Sequence, residues 1–185
     1  PPDIGGPAVM IEELIGSLAN NKFKLKVITY AETGERVKLN YGDKIVDVYK
    51  INRNRNAFFK YFFYLRRLLQ LAKWADAVYA TDIYSVGYCA YLAKKILGKK
   101  YIIRFAGDSA WETAVSNNWT NDYIVDFQKK VYGDRIEKIK NKRKKILLNA
   151  DKVIAVSRFM SGLAQTIGVK EDKVRIIYNS ADFMD

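Results

Sequence analysis

The sequence predicts an α/β fold, a Rossmann-like doubly wound parallel sheet. Short apolar runs rich in Val, Ile and Tyr recur along the chain, and helical patterns separate them. The runs are near-continuous instead of alternating, which is how strands read when both faces of a sheet are covered. Strand and helix in alternation then argue for parallel pairing with crossover helices. The expected strands are Leu25 to Tyr30, Ile45 to Lys50, Ala77 to Thr81, Tyr101 to Phe105, Lys152 to Ser157 and Val174 to Tyr178.

The helices follow from spacing. Pro7 to Asn20 carries Met10, Ile11, Leu14, Ile15 and Leu18 at a helical period. Phe58 to Trp74 is a second helix; at ~100° per residue Phe58, Tyr61, Phe62, Leu65, Leu68, Leu69 and Ala72 share the arc expected to cover a sheet. Phe59, Phe63 and Trp74 fall outside that arc, amid Lys60, Arg66 and Arg67. Ser85 to Leu97 is a third, with Ser85 as N-cap and Gly98 just past its end. Asp122 to Leu148 is long, basic and broken near Gly133, and Arg158 to Ile167 follows the N-cap Ser157. Gly5-Gly6-Pro7 opens a helix with no strand before it, and the chain stops soon after its last strand. Residues 1–178 are therefore expected to form one domain of a longer protein, short of its first strand.

Composition narrows the chemistry. The 185 residues include 32 Lys and Arg against 20 Asp and Glu, a net charge of +12, with 49% apolar residues and enough aromatics for a real core. The absence of His removes Ser-His-Asp and Cys-His catalysis and every His-ligated metal site. One cysteine, Cys89, removes internal disulfides and Cys-rich metal sites and fits a reducing compartment. No stretch is long and apolar enough to cross a bilayer, and the first residues resemble no signal peptide. These features lead to the expectation of a soluble, basic, cytoplasmic domain. Nucleic acid, anionic lipid and phosphorylated small molecules all suit the charge.

Several short constellations sit where strands give way to helices. Gly5 and Gly6 would let backbone N–H groups approach a phosphate at a helix N-terminus, or would simply make a tight turn. Asp82, Tyr84 and Ser85 follow a strand, either as ligand-binding groups or as a cap with a packed aromatic ring. Arg104 ends the next strand, and Gly107 and Asp108 follow it. Ser109-x-x-Glu112 fits a capping box, which leaves Arg104, Asp108 and Trp111 without a local reason. Asp108 could accept a sugar hydroxyl, act as a base, or cap its own turn. Arg158 could hold a phosphate or carboxylate, or stand exposed in a first helical turn. Lys140 to Lys145 holds five cations in six residues and reads first as a solvated face, second as a lipid contact and last as a nucleic-acid contact. The basic and aromatic surface of Phe58 to Trp74 suits either a membrane boundary or burial on both sides.

Taken in order, the segments 1–8 (PPDIGGPA), 79–87 (YATDIYSVG), 103–112 (IRFAGDSAWE), 150–160 (ADKVIAVSRFM) and 174–182 (VRIIYNSAD) resemble the amino-terminal half of bacterial group 1, family-four glycosyltransferases. The resemblance covers essentially the whole chain. It implies a GT-B enzyme with two Rossmann-like domains facing a cleft, metal-independent and retaining, with a nucleotide-diphosphate sugar as co-substrate. The domain in hand would mainly hold the acceptor, a saccharide or lipid-linked sugar. A carboxyl-terminal domain would supply most of the nucleotide site, and residues 179–185 would begin the interdomain hinge.

On this resemblance Gly5 and Gly6 lie beside the donor diphosphate. Asp108 binds or deprotonates the acceptor hydroxyl, because the His that many members carry near Gly107-Asp108 is missing here. Asp82, Tyr84, Ser85, Arg104 and Arg158 line the acceptor pocket. The expected partners are the nucleotide sugar, the acceptor, the second domain and an anionic membrane surface on the inner face, with no nucleic acid. One rival is a non-catalytic module for membranes or anionic ligands. Another is a different doubly wound nucleotide enzyme using Glu32, which the missing G-x-G-x-x-G spacing disfavours.

Overall fold

The structure is a computed structural model that describes residues 6–21 and 23–179, without the side chains of residues 6–9 and 20. The element order is α1 (Gly6–Asn20), β1 (Lys26–Ala31), β2 (Arg36–Tyr41), β3 (Lys44–Asn52), α2 (Ala57–Ala72), β4 (Ala77–Ala80), α3 (Tyr88–Leu97), β5 (Lys100–Phe105), α4 (Ser109–Ser116), α5 (Ile124–Lys129), α6 (Asp134–Asn149), β6 (Lys152–Ala155), α7 (Arg158–Ile167) and β7 (Val174–Ile176). The expected α/β class and all six expected strands are present. The strands form two sheets, ordered β1-β3-β2 and β4-β5-β6-β7. The chain accordingly divides into two compact units, residues 1–71 with 179–185 and residues 72–178, where the sequence suggests one domain over 1–178.

In the first unit β1 pairs in parallel with β3, from Lys26 opposite Asp47 to Ala31 opposite Asn52. β2, which the sequence reading omits, pairs antiparallel with β3 through a tight Tyr41–Lys44 hairpin, so this sheet is mixed. Gly42 takes a φ of 58°, the positive value that a two-residue hairpin turn needs at its first central position. Arg36 and Asp47 form an ion pair across the hairpin at 2.8 Å.

Helix α2 is rotated about 60° from the arc that periodicity suggests. Tyr64 and Leu68 are its buried residues within this unit, and Tyr64 stacks on Tyr30 of β1 at 4.8 Å between centroids. The stacked pair turns Phe58 and Phe62 outward, to 75% and 52% exposure. Phe63, expected on the outer face, is half-buried under the Arg55 guanidinium at 4.5 Å.

The second unit is wholly parallel, in strand order equal to chain order. Tyr101, Ile103 and Phe105 of β5 alternate onto one sheet face with Val153 and Ala155 of β6 and Val174 of β7. On that face they meet Ala90 and Tyr91 of α3, Ile146 and Leu147 of α6, and Leu163, Ala164 and Ile167 of α7. Successive right-handed crossovers in one direction place all three helices on the same face, as observed. Asp151 ties the amino edge together, accepting from the Tyr101 amide at 2.9 Å and from Lys94 Nζ at 2.8 Å. Burial works against its ionisation, but these donors outweigh it and hold its pKa below the usual value.

The long basic helix is broken as expected near Gly133, into α5 and α6. Lys142, Lys144 and Lys145 are solvated, in keeping with the first reading of the charge run. Two of them also cover aromatic rings: Lys142 Nζ lies 4.5 Å from the Tyr88 centroid and Lys145 Nζ 5.3 Å from that of Tyr91. Arg143 departs from the pattern and is buried with Ile136, Ile146 and Leu147.

Candidate functional site

The carboxyl ends of β4, β5 and β6 carry the loops in which most of the candidate residues fall. After β4 the chain makes a single π-helical turn, Ile83–Gly87, before α3 begins. Asp82, not Ser85, is its cap: Oδ1 accepts from the Ser85 and Val86 amides at 2.8 and 3.1 Å, and Oδ2 accepts from Ser85 Oγ at 2.6 Å. The Gly87 amide donates to the Asp82 carbonyl at 3.0 Å, the i to i+5 bond that defines the turn. A Cβ at Gly87 would stand 2.6 Å from the Asp82 carbonyl oxygen and 2.8 Å from Ile103 Cδ1. Only glycine lets this turn lie against β5. Tyr84 donates its hydroxyl to the Ile139 carbonyl of α6 at 2.7 Å, and burial pushes its pKa up.

Cys89 sits one turn further along, fully buried. Desolvation first and the Asp82 charge second push its thiol up to about 12.

The loop after β5 is built around Asp108. It is the N-cap of α4, one residue before the cap the sequence suggests. Oδ1 accepts from the Ala110 and Trp111 amides at 3.0 and 3.4 Å. Oδ2 accepts from Gln128 Nε2 of α5 at 2.8 Å and from Arg143 Nη1 of α6. Arg143 Nη1 also donates to Gln128 Oε1 at 2.9 Å, which closes a triangle. The Asp108 side chain is 0% exposed and that of Arg143 4%. Four donors fill the acceptor capacity of a carboxylate. Of the three roles the sequence leaves open for Asp108, capping is therefore the one observed. Trp111 has a local reason too, since its Nε1 donates to the Asp122 carbonyl at 2.9 Å.

Arg104 is buried on β5, on the sheet face opposite Ile103 and Phe105. Its charge acts on Tyr79 of β4, whose phenol pKa burial raises and Arg104 partly restores. Arg158 is exposed in the first turn of α7, beneath the Ser157 cap that accepts from the Met160 amide at 3.1 Å. The structure thus gathers Asp82, Tyr84, Ser85 and Asp108 at the ends of adjacent strands, and places Arg158 after the next. Gly6 is the first residue of α1, while Gly5 and residues 180–185 lie outside the described residues.

Sequence reasoning missed Gln128 and Arg143, which reach Asp108 from 20 and 35 residues away. Periodicity offers one signal: Arg143 falls on the same helical stripe as Ile136, Ile139 and Ile146.

A parallel sheet flanked by helices, with its polar loops at the carboxyl ends of the strands, defines the Rossmann-like class of ligand-binding domains. The chain belongs to Glycosyltransferase Family 4, whose profile matches residues 4–183. Among solved structures it is similar to Alr3699/HepE of Anabaena in three complexes. With UDP, the TM-score is 0.57 at 13% identity. With UDP and glucose it is 0.59 at 13%, and with UDP-glucose 0.58 at 12%. The alignments cover 96–97% of this chain and 42% of HepE, so the chain spans less than half the length of these structures. No curated protein matches the sequence significantly.

Proposed function

We propose that this chain is the acceptor-side domain of a retaining glycosyltransferase that moves a sugar from a nucleotide-diphosphate donor to a saccharide or lipid-linked acceptor. The observation that carries this reading is the family match over 4–183, together with polar loops along the carboxyl rim of a parallel sheet. The UDP and UDP-glucose bound by HepE support a uridine nucleotide as donor. In the transfer, the acceptor hydroxyl oxygen bonds to the anomeric carbon as the bond from that carbon to the diphosphate oxygen breaks. The hydroxyl proton goes to the departing diphosphate. Gly5 and Gly6 are the residues proposed to stand beside the donor diphosphate, with cations of the second domain offsetting the charge that develops on it. Asp82, Tyr84, Ser85 and Arg158 bound the acceptor side. In this reading Asp108 and Arg104 act from within the domain, Asp108 by fixing the β5 loop.

The test uses the full-length protein with UDP-glucose and a panel of saccharide and lipid-linked acceptors. Acceptor-dependent UDP release with retained anomeric configuration is expected, and residues 1–185 alone should transfer nothing. Failure of the full-length protein to bind any nucleotide sugar by calorimetry overturns the reading.

A second aspect concerns location, at the inner face of an anionic membrane. Phe58, Phe59 and Phe62 are 75%, 50% and 52% exposed on α2, followed on the same helix by exposed Arg66 and Arg67. Aromatic rings beside guanidinium groups suit the boundary of an anionic bilayer. Replacing all three Phe by Ser should cut sedimentation with phosphatidylglycerol-containing vesicles at least about tenfold. Unchanged sedimentation removes α2 from the account.

A further inference from the structure

Glu112 fits the capping-box spacing, but the structure gives the capping to Asp108. Asp108 Oδ1 accepts from the Ala110 and Trp111 amides, and the Glu112 amide, which the Ser109 hydroxyl would serve in a box, donates to the Asp108 carbonyl at 2.9 Å. The Glu112 side chain turns back over the β5 loop. A Cβ placed on Gly107 would collide with its Oε1, so the carboxyl is laid on bare glycine backbone. Glu112 is exposed to solvent. Among the described residues no group donates a hydrogen bond or an ion pair to it.

Desolvation first and the neighbouring Asp108 charge second raise the pKa of Glu112. A carboxyl whose pKa is raised on folding binds its proton more tightly in the folded state. Stability therefore falls as pH rises through the raised value, and ionised Glu112 works against the fold at neutral pH. Arg143, the cation of the loop's own network, turns its Nη1 to Asp108 and Gln128. An exposed carboxylate held over the end of a strand, with no donor among the described residues, has its acceptor sites open to a ligand hydroxyl.

We propose that the Glu112 carboxylate, seated on Gly107 at the carboxyl end of β5, receives a hydroxyl of the sugar acceptor and orients it for transfer. The proposal rests on the glycosyl-transfer reading and names one contact within it. Glu112 is a binding and orienting group here, and the proton still leaves with the diphosphate. The glycine at 107 is then required by the site, because any side chain there would displace the carboxylate.

The experiment compares wild-type, Glu112→Gln and Gly107→Ala full-length enzymes, with UDP-glucose as donor and methyl hexopyranosides and lipid-linked sugars as acceptors. Glu112→Gln should lower kcat/KM for the best acceptor about ten- to hundredfold, the loss of one charge-assisted hydrogen bond. The donor KM should stay within about twofold, and the Tm at neutral pH should be equal or higher. Gly107→Ala should weaken acceptor use in the same direction, and the double variant should be no worse than Glu112→Gln. Unchanged acceptor kinetics, or a lower Tm with donor and acceptor constants altered alike, overturns the proposal. If the wild type turns over no UDP-glucose, the transfer reading or its donor is at fault. Glu112 is then judged by its side-chain carboxyl 13C resonance, and no shift with any saccharide of the panel overturns its role.

Discussion

Arg143→Ala is expected to lower the unfolding free energy by about 3–5 kcal/mol, read as a shift of the urea midpoint. The substitution removes more than packing. It leaves the Asp108 carboxylate 0% exposed with its charged partner gone and, among the described residues, Gln128 as the one remaining side-chain donor. Breaking one side of a buried pair is costly because the other charge cannot reach water, whereas an exposed pair contributes little. Lys144→Ala is the matched control. That neighbour is exposed, and its loss should change stability by no more than about 0.5 kcal/mol. Equal effects at the two positions would mean that the triangle of Asp108, Gln128 and Arg143 does not hold α4, α5 and α6 together.

Gly87→Ala is expected to cost about 1–3 kcal/mol through overpacking, and to shift the loop after β4. The new Cβ meets a backbone carbonyl at 2.6 Å and Ile103 Cδ1 at 2.8 Å. The Ile side chain has no other place to go, since Ile103 is fully buried in the sheet core. The turn must therefore lift away from β5, taking the Asp82 cap and Tyr84 with it. Gly133→Ala tests whether this is a local effect. A Cβ there meets nothing within 4 Å, and because Gly133 is the N-cap of α6 the substitution should cost no more than about 1 kcal/mol, the poorer capping by Ala, and leave the loop after β4 in place.

The strands that periodicity locates are the ones whose apolar runs are buried, β5 and β6 above all. β2 escaped because Arg36, Lys38 and Asn40 interrupt its apolar residues, although the Gly42-Asp43 turn after an alternating run was a readable hairpin signal. The caps were displaced for one reason. Asp82 and Asp108 each precede a Ser that could serve equally well by sequence, and the residue whose two oxygens reach successive amides becomes the cap. Spacing cannot tell these apart, because the outcome depends on which residue leaves the strand in extended conformation. The α2 rotation depends likewise on a stacking partner, Tyr30, that lies 34 positions away in the chain.

The site was legible as a set of strand ends and not as a set of roles. Asp82, Ser85 and Asp108 were picked out for their position, and the structure makes caps of Asp82 and Asp108, with Ser85 donating its amide and hydroxyl to Asp82. Glu112 was explained away by a motif that the fold did not use. Arg143 sat unnoticed inside a run of charge, since a cation on an apolar stripe is recognisable only once the stripe is known to face inward.

Cys89 has a practical consequence. A thiol buried and raised to about 12 is almost wholly protonated in neutral buffer and out of reach of maleimides and oxidants. Residues 1–185 therefore need no cysteine-free background. A thiol introduced at an exposed position such as Phe159 would be the one in this chain that takes a spin label or fluorophore, leaving the rest of its sequence natural.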